Sequence, residues 1–63
     1  MTDKLRERWA ILKPVLQQEG RLTNHRVRAL CAVSSATANR ILQDLCDAGL
    51  VQRHGTGKGT YYQ

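Results

Sequence analysis

The sequence predicts a mainly helical α+β domain in which three helices precede a small C-terminal β-hairpin. Three observations lead there. Three stretches repeat their apolar residues at helical spacing, each opened by Ser, Thr, Asp or Asn. The stretch 50–63 changes character, with β-type residues on both sides of a glycine-rich turn. And 63 residues, 41% hydrophobic and without a single Phe, supply one thin core and no more.

The first helix is expected over 2–19. Leu5, Trp9, Leu12 and Leu16 fall at i, i+4, i+7 and i+11 with Val15 beside them, which makes one core-facing stripe. That phase assigns Trp9 to helix packing rather than to stacking on a ligand. Thr2 or Asp3 caps the start, and Gly20 closes the helix in the left-handed region. Pro14 opposes the pattern, because it removes a backbone donor and clashes one turn back, at about 3 kcal/mol in a straight helix. The stripe passes through Pro14 in phase, so one kinked helix is expected rather than a fresh start near Lys13. This helix serves as scaffold.

Arg21-Leu22-Thr23 reads as an extended link whose Leu22 faces the core. A second helix follows over 24–32, capped by Thr23 or Asn24, with Val27, Leu30 and Cys31 inward and His25, Arg26 and Arg28 toward solvent. A third is expected over 34–48. Ser34 caps it, Ala38, Ile41, Leu42 and Leu45 form its buried side, and Gly49 stops it. The hairpin occupies 50–63: Leu50–His54 and Thr60–Tyr62 as strands around a flexible turn, Gly55–Gly59. A hairpin alone is marginal in water, so Leu50, Val51 and one of the two tyrosines must pack on the helices. The whole chain, 1–63, is read as one domain.

The formal net charge is +5, and it is unevenly spread. Residues 1–20 set Lys4, Arg6, Arg8 and Lys13 against Asp3, Glu7 and Glu19, and these charges are read as serving solubility. Residues 21–63 set Arg21, Arg26, Arg28, Arg40, Arg53 and Lys58 against Asp44 and Asp47 alone. A basic excess of this kind fits a polyanionic partner or simple solubility, and charge alone does not separate the two. The polar N-terminus and the absence of long apolar runs predict neither signal peptide nor membrane span. Cys31 and Cys46 are too few for a disulfide framework, which predicts a reducing, cytoplasmic setting.

From Leu22 onward the chain carries a specific pattern. Leu22–Ser34 reads as a short helix and turn, and Ser35–Leu45 as a helix with a polar outer stripe. Ala48-Gly49-Leu50-Val51 then leads into Gly55-Thr56-Gly57-Lys58-Gly59-Thr60-Tyr61-Tyr62. This pattern covers about two-thirds of the chain and resembles the winged helix-turn-helix domains of bacterial transcriptional regulators, a module also found at the C-termini of helicase-like and ATPase-like regulators. One position departs from that pattern. The turn before the third helix commonly holds Gly, and here it holds Ala32, which costs about 1–2 kcal/mol if left-handed.

The resemblance implies sequence-specific binding of double-stranded DNA. The third helix becomes the recognition helix in the major groove, and the wing lies on the backbone or in the minor groove. The residues suit those roles. Ala36, Asn39, Arg40 and Gln43 share one stripe, where Arg can clamp guanine, Asn and Gln can pair with adenine, and small Ala or Ser permits close approach. Ser34, Ser35 and Thr37 at the helix start offer donors to phosphate. Arg53, His54 and Lys58 on the wing, with Arg26 and Arg28 on the second helix, complete the candidate contacts. The expected role is transcriptional regulation, or targeting of a larger protein to DNA, in association with the nucleoid. A lone module buries only about 600–1,000 Å² on DNA, so a homodimer partner or the remainder of a longer chain is expected.

Other chemistries fit poorly. Cys31, Cys46, His25 and His54 lack the spacing of a zinc site. Gly55–Thr60 mimics the end of a phosphate-binding loop, but position 52 is Gln where that loop needs Gly, and Tyr61-Tyr62, expected in a strand, stand where that loop needs a helix. Asn39-Arg40-Ile41-Leu42 resembles a motif of winged helices that bind Z-form nucleic acid, yet Gln43 stands where those carry Tyr. No cofactor, metal or catalytic residue is expected, and the chain is not read as an enzyme. The alternative function is that of a protein-interaction adaptor that uses the same scaffold without DNA.

Overall fold

The computed structural model describes residues 2–63; Met1, where the single domain read over 1–63 begins, lies outside the described residues. Helix α1 spans Asp3–Glu19, α2 spans Asn24–Cys31 and α3 spans Ser35–Asp47. Strand β1 is Arg53–His54 and β2 is Tyr61–Tyr62.

Each helix starts on a side-chain cap. Thr2 Oγ1 accepts the Leu5 N–H at 3.1 Å, Thr23 Oγ1 that of Arg26 at 3.2 Å, and Ser34 Oγ that of Thr37 at 3.2 Å. These bonds satisfy donors that the first helical turn leaves without partners. Thr23 rather than Asn24 caps α2, and Asn24 is its first helical residue. Helix α1 continues through Pro14. The proline leaves the Ala10 carbonyl without its usual partner, and both residues face solvent, where water serves instead. No new helix starts near Lys13.

Helix α2 ends one residue before the expected 32 because Ala32 turns left-handed, at φ 54° and ψ 50°. The turn therefore has the backbone that glycine normally supplies there, carried by a residue with a Cβ. At the end of α3, Ala48 caps the helix and Gly49 takes the positive φ.

The core contains Leu5 and Leu12 of α1, Leu22 of the link, Val27 of α2, and Ala38, Ile41, Leu42 and Leu45 of α3. Val51 and Tyr62 close it from the hairpin. Trp9, Val15, Leu16, Leu30, Cys31, Val33, Cys46 and Leu50 are half-buried around it.

The ladder is shorter than the expected strands. Arg53 lies opposite Tyr62 and His54 opposite Tyr61, antiparallel. Gln52 and Gln63 extend it by exchanging backbone bonds of 2.7 and 3.0 Å. Leu50 and Val51 approach the ladder without joining it, since Val51 is drawn into the core. On its other side β2 is bonded to Leu22, whose N–H and C=O pair with those of Tyr62 at 2.7 and 2.8 Å. The link before α2 thus acts as a one-residue third strand.

The expected flexible loop at Gly55–Gly59 is a built turn. Gly57–Gly59 forms a 3-10 turn, and the Thr60 hydroxyl donates to the Gly57 carbonyl at 2.8 Å. Gly55 sits at φ 77°, where a Cβ would lie 2.5 Å from the Gly59 carbonyl oxygen. Of the two tyrosines, Tyr62 is buried. Tyr61 faces outward, stacked on His54 with ring centroids 5.4 Å apart and under the Arg21 guanidinium at 5.7 Å. Three helices, the Ala32–Ser34 turn and the closing hairpin make up a winged helix-turn-helix, mainly α with a small β element.

Candidate nucleic-acid interface

Burial of Ala38, Ile41, Leu42 and Leu45 turns the opposite side of α3 outward, and Ser35, Ala36, Asn39, Arg40 and Gln43 are all exposed. A groove runs along each flank of this ridge. On the wing side, Asn39, Arg40 and Gln43 share an open groove with Asn24 at the start of α2 and with Arg53, Lys58 and Thr60 of the hairpin. On the other side, Ala36, Thr37, Arg40 and Asp44 face Lys4 and Arg8 of α1. Arg40 borders both grooves and makes no hydrogen bond or ion pair among the described residues. The stripe expected from spacing is therefore divided: Asn39 and Gln43 look toward the wing, Ala36 toward α1.

The remaining candidates fall in different places. Ser34 is occupied by capping, its hydroxyl donating to Thr37 Oγ1 at 3.1 Å while accepting the Thr37 N–H. Ser35 lines the wing-side groove. Gln43 Nε2 donates to Asp47 Oδ1 at 3.0 Å. Arg53 and Lys58 line the groove, whereas His54 points to the other face of the hairpin and stacks on Tyr61. Arg28 borders a shallow depression with His25, Ala29, Ala32 and Val33, away from the wing. Arg26 donates through Nε and Nη2 to the Glu19 carboxylate, at 2.7 Å for the shortest contact. That hydrogen bond, and then the carboxylate charge, raises the Arg26 pKa.

Two groups in these grooves lie outside the contacts expected from the sequence. Asn24 is recognisable in the sequence only as a cap, yet its side chain reaches across to α3, donating to Asn39 Oδ1 at 2.7 Å and to the Ser35 carbonyl at 3.1 Å. Lys4 and Arg8 belong to a segment whose charges nearly cancel. Their i, i+4 spacing, one position to the side of Leu5, is the signal that sets both on the α3 side of α1.

The thiols of Cys31 and Cys46 are both half-buried and unpaired, and burial pushes each above the ordinary thiol range. Among the described residues no three His, Cys, Asp or Glu side chains stand together to hold a metal ion. No helix among them is long and apolar enough to cross a membrane. Residues 7–63 match the family described as transcriptional regulator DIP2311-like, C-terminal domain. Neither the curated proteins nor the solved structures give a match.

Proposed function

The chain belongs to the DIP2311-like transcriptional regulator C-terminal domain family, and from that premise we propose that it binds double-stranded DNA in a sequence-specific manner. Residues 1–63 act as one DNA-binding unit in transcriptional regulation, a non-enzymatic role. Helix α3 enters the major groove with Asn39, Arg40 and Gln43 toward base edges. Ser35, Arg53 and Lys58 meet phosphates from the wing side, and Ala36 allows close approach at the front of the helix.

One observation carries this reading. The groove between α3 and the hairpin gathers Arg40, Arg53 and Lys58 with the amides of Asn39 and Gln43, and among the described residues no carboxylate lines it. Side chains of like charge gather this way where a polyanion supplies the opposite charge. Arg for guanine and amides for base edges are the side chains that read a major groove. Lys4 and Arg8 support the same placement, because a helix seated in the major groove is flanked by two phosphate strands.

The test is a titration of labelled duplexes by fluorescence anisotropy at several salt concentrations, with NMR shifts recorded alongside. Expected are affinity that falls steeply with salt and shifts concentrated at Ser35–Gln43 and Arg53–Lys58. Arg40→Ala should weaken binding to a selected site more than to random duplex, on the order of 1–3 kcal/mol at one position. Failure to bind any duplex at low salt, with the wing and α3 silent in the spectra, overturns the proposal in favour of a protein-interaction adaptor. Since one module offers a small interface, a second copy or another segment of a longer regulator supplies the rest of the affinity.

A further inference from the structure

Taking duplex DNA as the ligand, the reading on which this rests, we infer that Asn24 is a positioning residue that sets the base preference of Asn39, making it a donor to guanine rather than a bidentate partner of adenine. The hydrogen bonds between α2 and α3 have one fixed end. The Ser35 carbonyl can only accept. The atom of Asn24 that meets it at 3.1 Å is therefore the amide nitrogen. That same nitrogen lies 2.7 Å from the Asn39 side chain, so the Asn39 atom facing it must be the oxygen. The Ser35 hydroxyl, 3.4 Å from Asn24 Oδ1, agrees with this orientation. Nitrogen and oxygen of an amide are told apart by such partners, and here a backbone group decides the whole chain.

The consequence lies at Asn39. Its oxygen is turned toward Asn24, and its NH2 group, without a partner among the described residues, is left to meet a ligand. Pairing with adenine needs the Asn oxygen to accept from N6 while the nitrogen donates to N7. With one lone pair of its oxygen held by Asn24, the unpartnered NH2 group is the freer end of the amide and favours an edge with acceptors only. Guanine offers both N7 and O6, and thymine O4 comes second. Asn24 is half-buried and Asn39 exposed, so the anchored residue is the inner one and the reading residue the outer one.

The experiment is selection of binding sites from a randomised duplex library by the full chain and by Asn39→Ala, Asn24→Ala and Asn24→Asp. The position whose preference collapses in Asn39→Ala is the one that Asn39 reads, and the parent chain should select guanine there. Asn24→Ala should admit adenine at that position alone, lowering the discrimination on the order of tenfold while the other positions keep theirs. In Asn24→Asp the carboxylate can only accept, so the Asn39 amide turns over and offers its oxygen. The preference should then move to cytosine or adenine, which present amino groups. This variant places an acidic residue in the first turn of α2, where the parent chain has none, which favours folding. Adenine selected by the parent chain, or an unchanged profile in both Asn24 variants, overturns the inference while DNA binding stands. Selection of no duplex at all overturns DNA binding, and this inference with it. A second readout needs no DNA: the two donated side-chain protons of Asn24 should exchange with solvent more slowly than those of Asn39, and equal rates count against the inference.

Discussion

Arg26 and Glu19 form a two-pronged ion pair between the first turn of α2 and the last turn of α1, with Nη2 2.7 Å from Oε2. An arginine that sequence and position offer as a phosphate contact thus has its charge met inside the protein. A cation contributes to the salt dependence of DNA binding only if a phosphate neutralises it, by a slope of about 0.9 per contact. Arg26→Ala is therefore expected to leave the slope of log K against log salt unchanged. Lys58→Ala, which removes a cation with no acidic partner among the described residues, should reduce that slope by about 1. Anisotropy titrations at four or five salt concentrations measure both.

Ala32 holds a left-handed backbone at φ 54° that L-residues with a Cβ resist by about 1–2 kcal/mol. Glycine removes that strain and adds about 0.4–1 kcal/mol of unfolded-chain entropy. These two terms set the expected gain for Ala32→Gly between about 0 and about 1.6 kcal/mol. Urea unfolding reads it as a rise in midpoint at constant m-value. A loss of stability would mean that Ala32 does not occupy this conformation.

Gly55 and Gly57 both have positive φ, but they differ in space. A Cβ on Gly55 would meet the Gly59 carbonyl oxygen at 2.5 Å, while one on Gly57 meets nothing within 4 Å. Gly55→Ala must therefore displace the backbone that carries Lys58, and it should weaken duplex binding at least as much as Lys58→Ala. Gly57→Ala should cost only the conformational strain, about 1–2 kcal/mol, and leave the position of Lys58 intact. Equal effects of the two substitutions on binding would contradict the turn geometry.

Burial, as the larger cause in each case, raises the pKa of Cys31 and of Cys46. The folded state then holds its thiol protons more tightly than the unfolded chain. Stability supplied by the neutral thiols is intact below the ordinary thiol pKa and declines as pH rises through the thiol range. Native protein should alkylate more slowly than urea-unfolded protein at pH 8, and unfolding midpoints should fall on passing to more alkaline solution. Cys46→Ala and Cys31→Ala together should abolish the part of that fall that the thiols cause.

Leu22 is fully buried although only three residues separate the end of α1 from the cap of α2. Leu22→Ala is expected to cost about 2–5 kcal/mol, the range for emptying a packed leucine site. Chemical denaturation provides the measurement.

The legible parts of this molecule are those that a local period dictates. In α3 the inward set of Ala38, Ile41, Leu42 and Leu45 follows from spacing, and Ser34 and Gly49 mark its ends by their chemistry. Periodicity says which face of a helix is covered, but not which side chain on another element meets it. Glu19 with Arg26 and Asn24 with Asn39 come together through the angle at which the helices pack, and no pattern within one helix encodes that angle. The hairpin is legible as a β-turn-β pattern. The pairing of Tyr62 with Arg53, which sends Tyr62 inward and Tyr61 outward, depends on a register that alternation alone leaves open.

The pairing of Leu22 with Tyr62 also bears on the order in which the chain closes. Contacts within each helix and between α2 and α3 span short stretches of sequence, whereas this pair, like the packing of α1 on α3, joins distant residues. The entropy of closing so long a loop must be met before the bonds to β2 return anything. Helices α2 and α3 can therefore form and dock while β2 still lacks an edge to join on one side. With β2 seated between β1 and Leu22, the wing is expected to assemble after α2 docks on α3 and to open before that pair separates. Hydrogen exchange should find the Tyr62 amide less protected than that of Leu42 in the core of α3. Competence to grip a ligand with both helix and wing is then expected to follow the docking of α2 on α3.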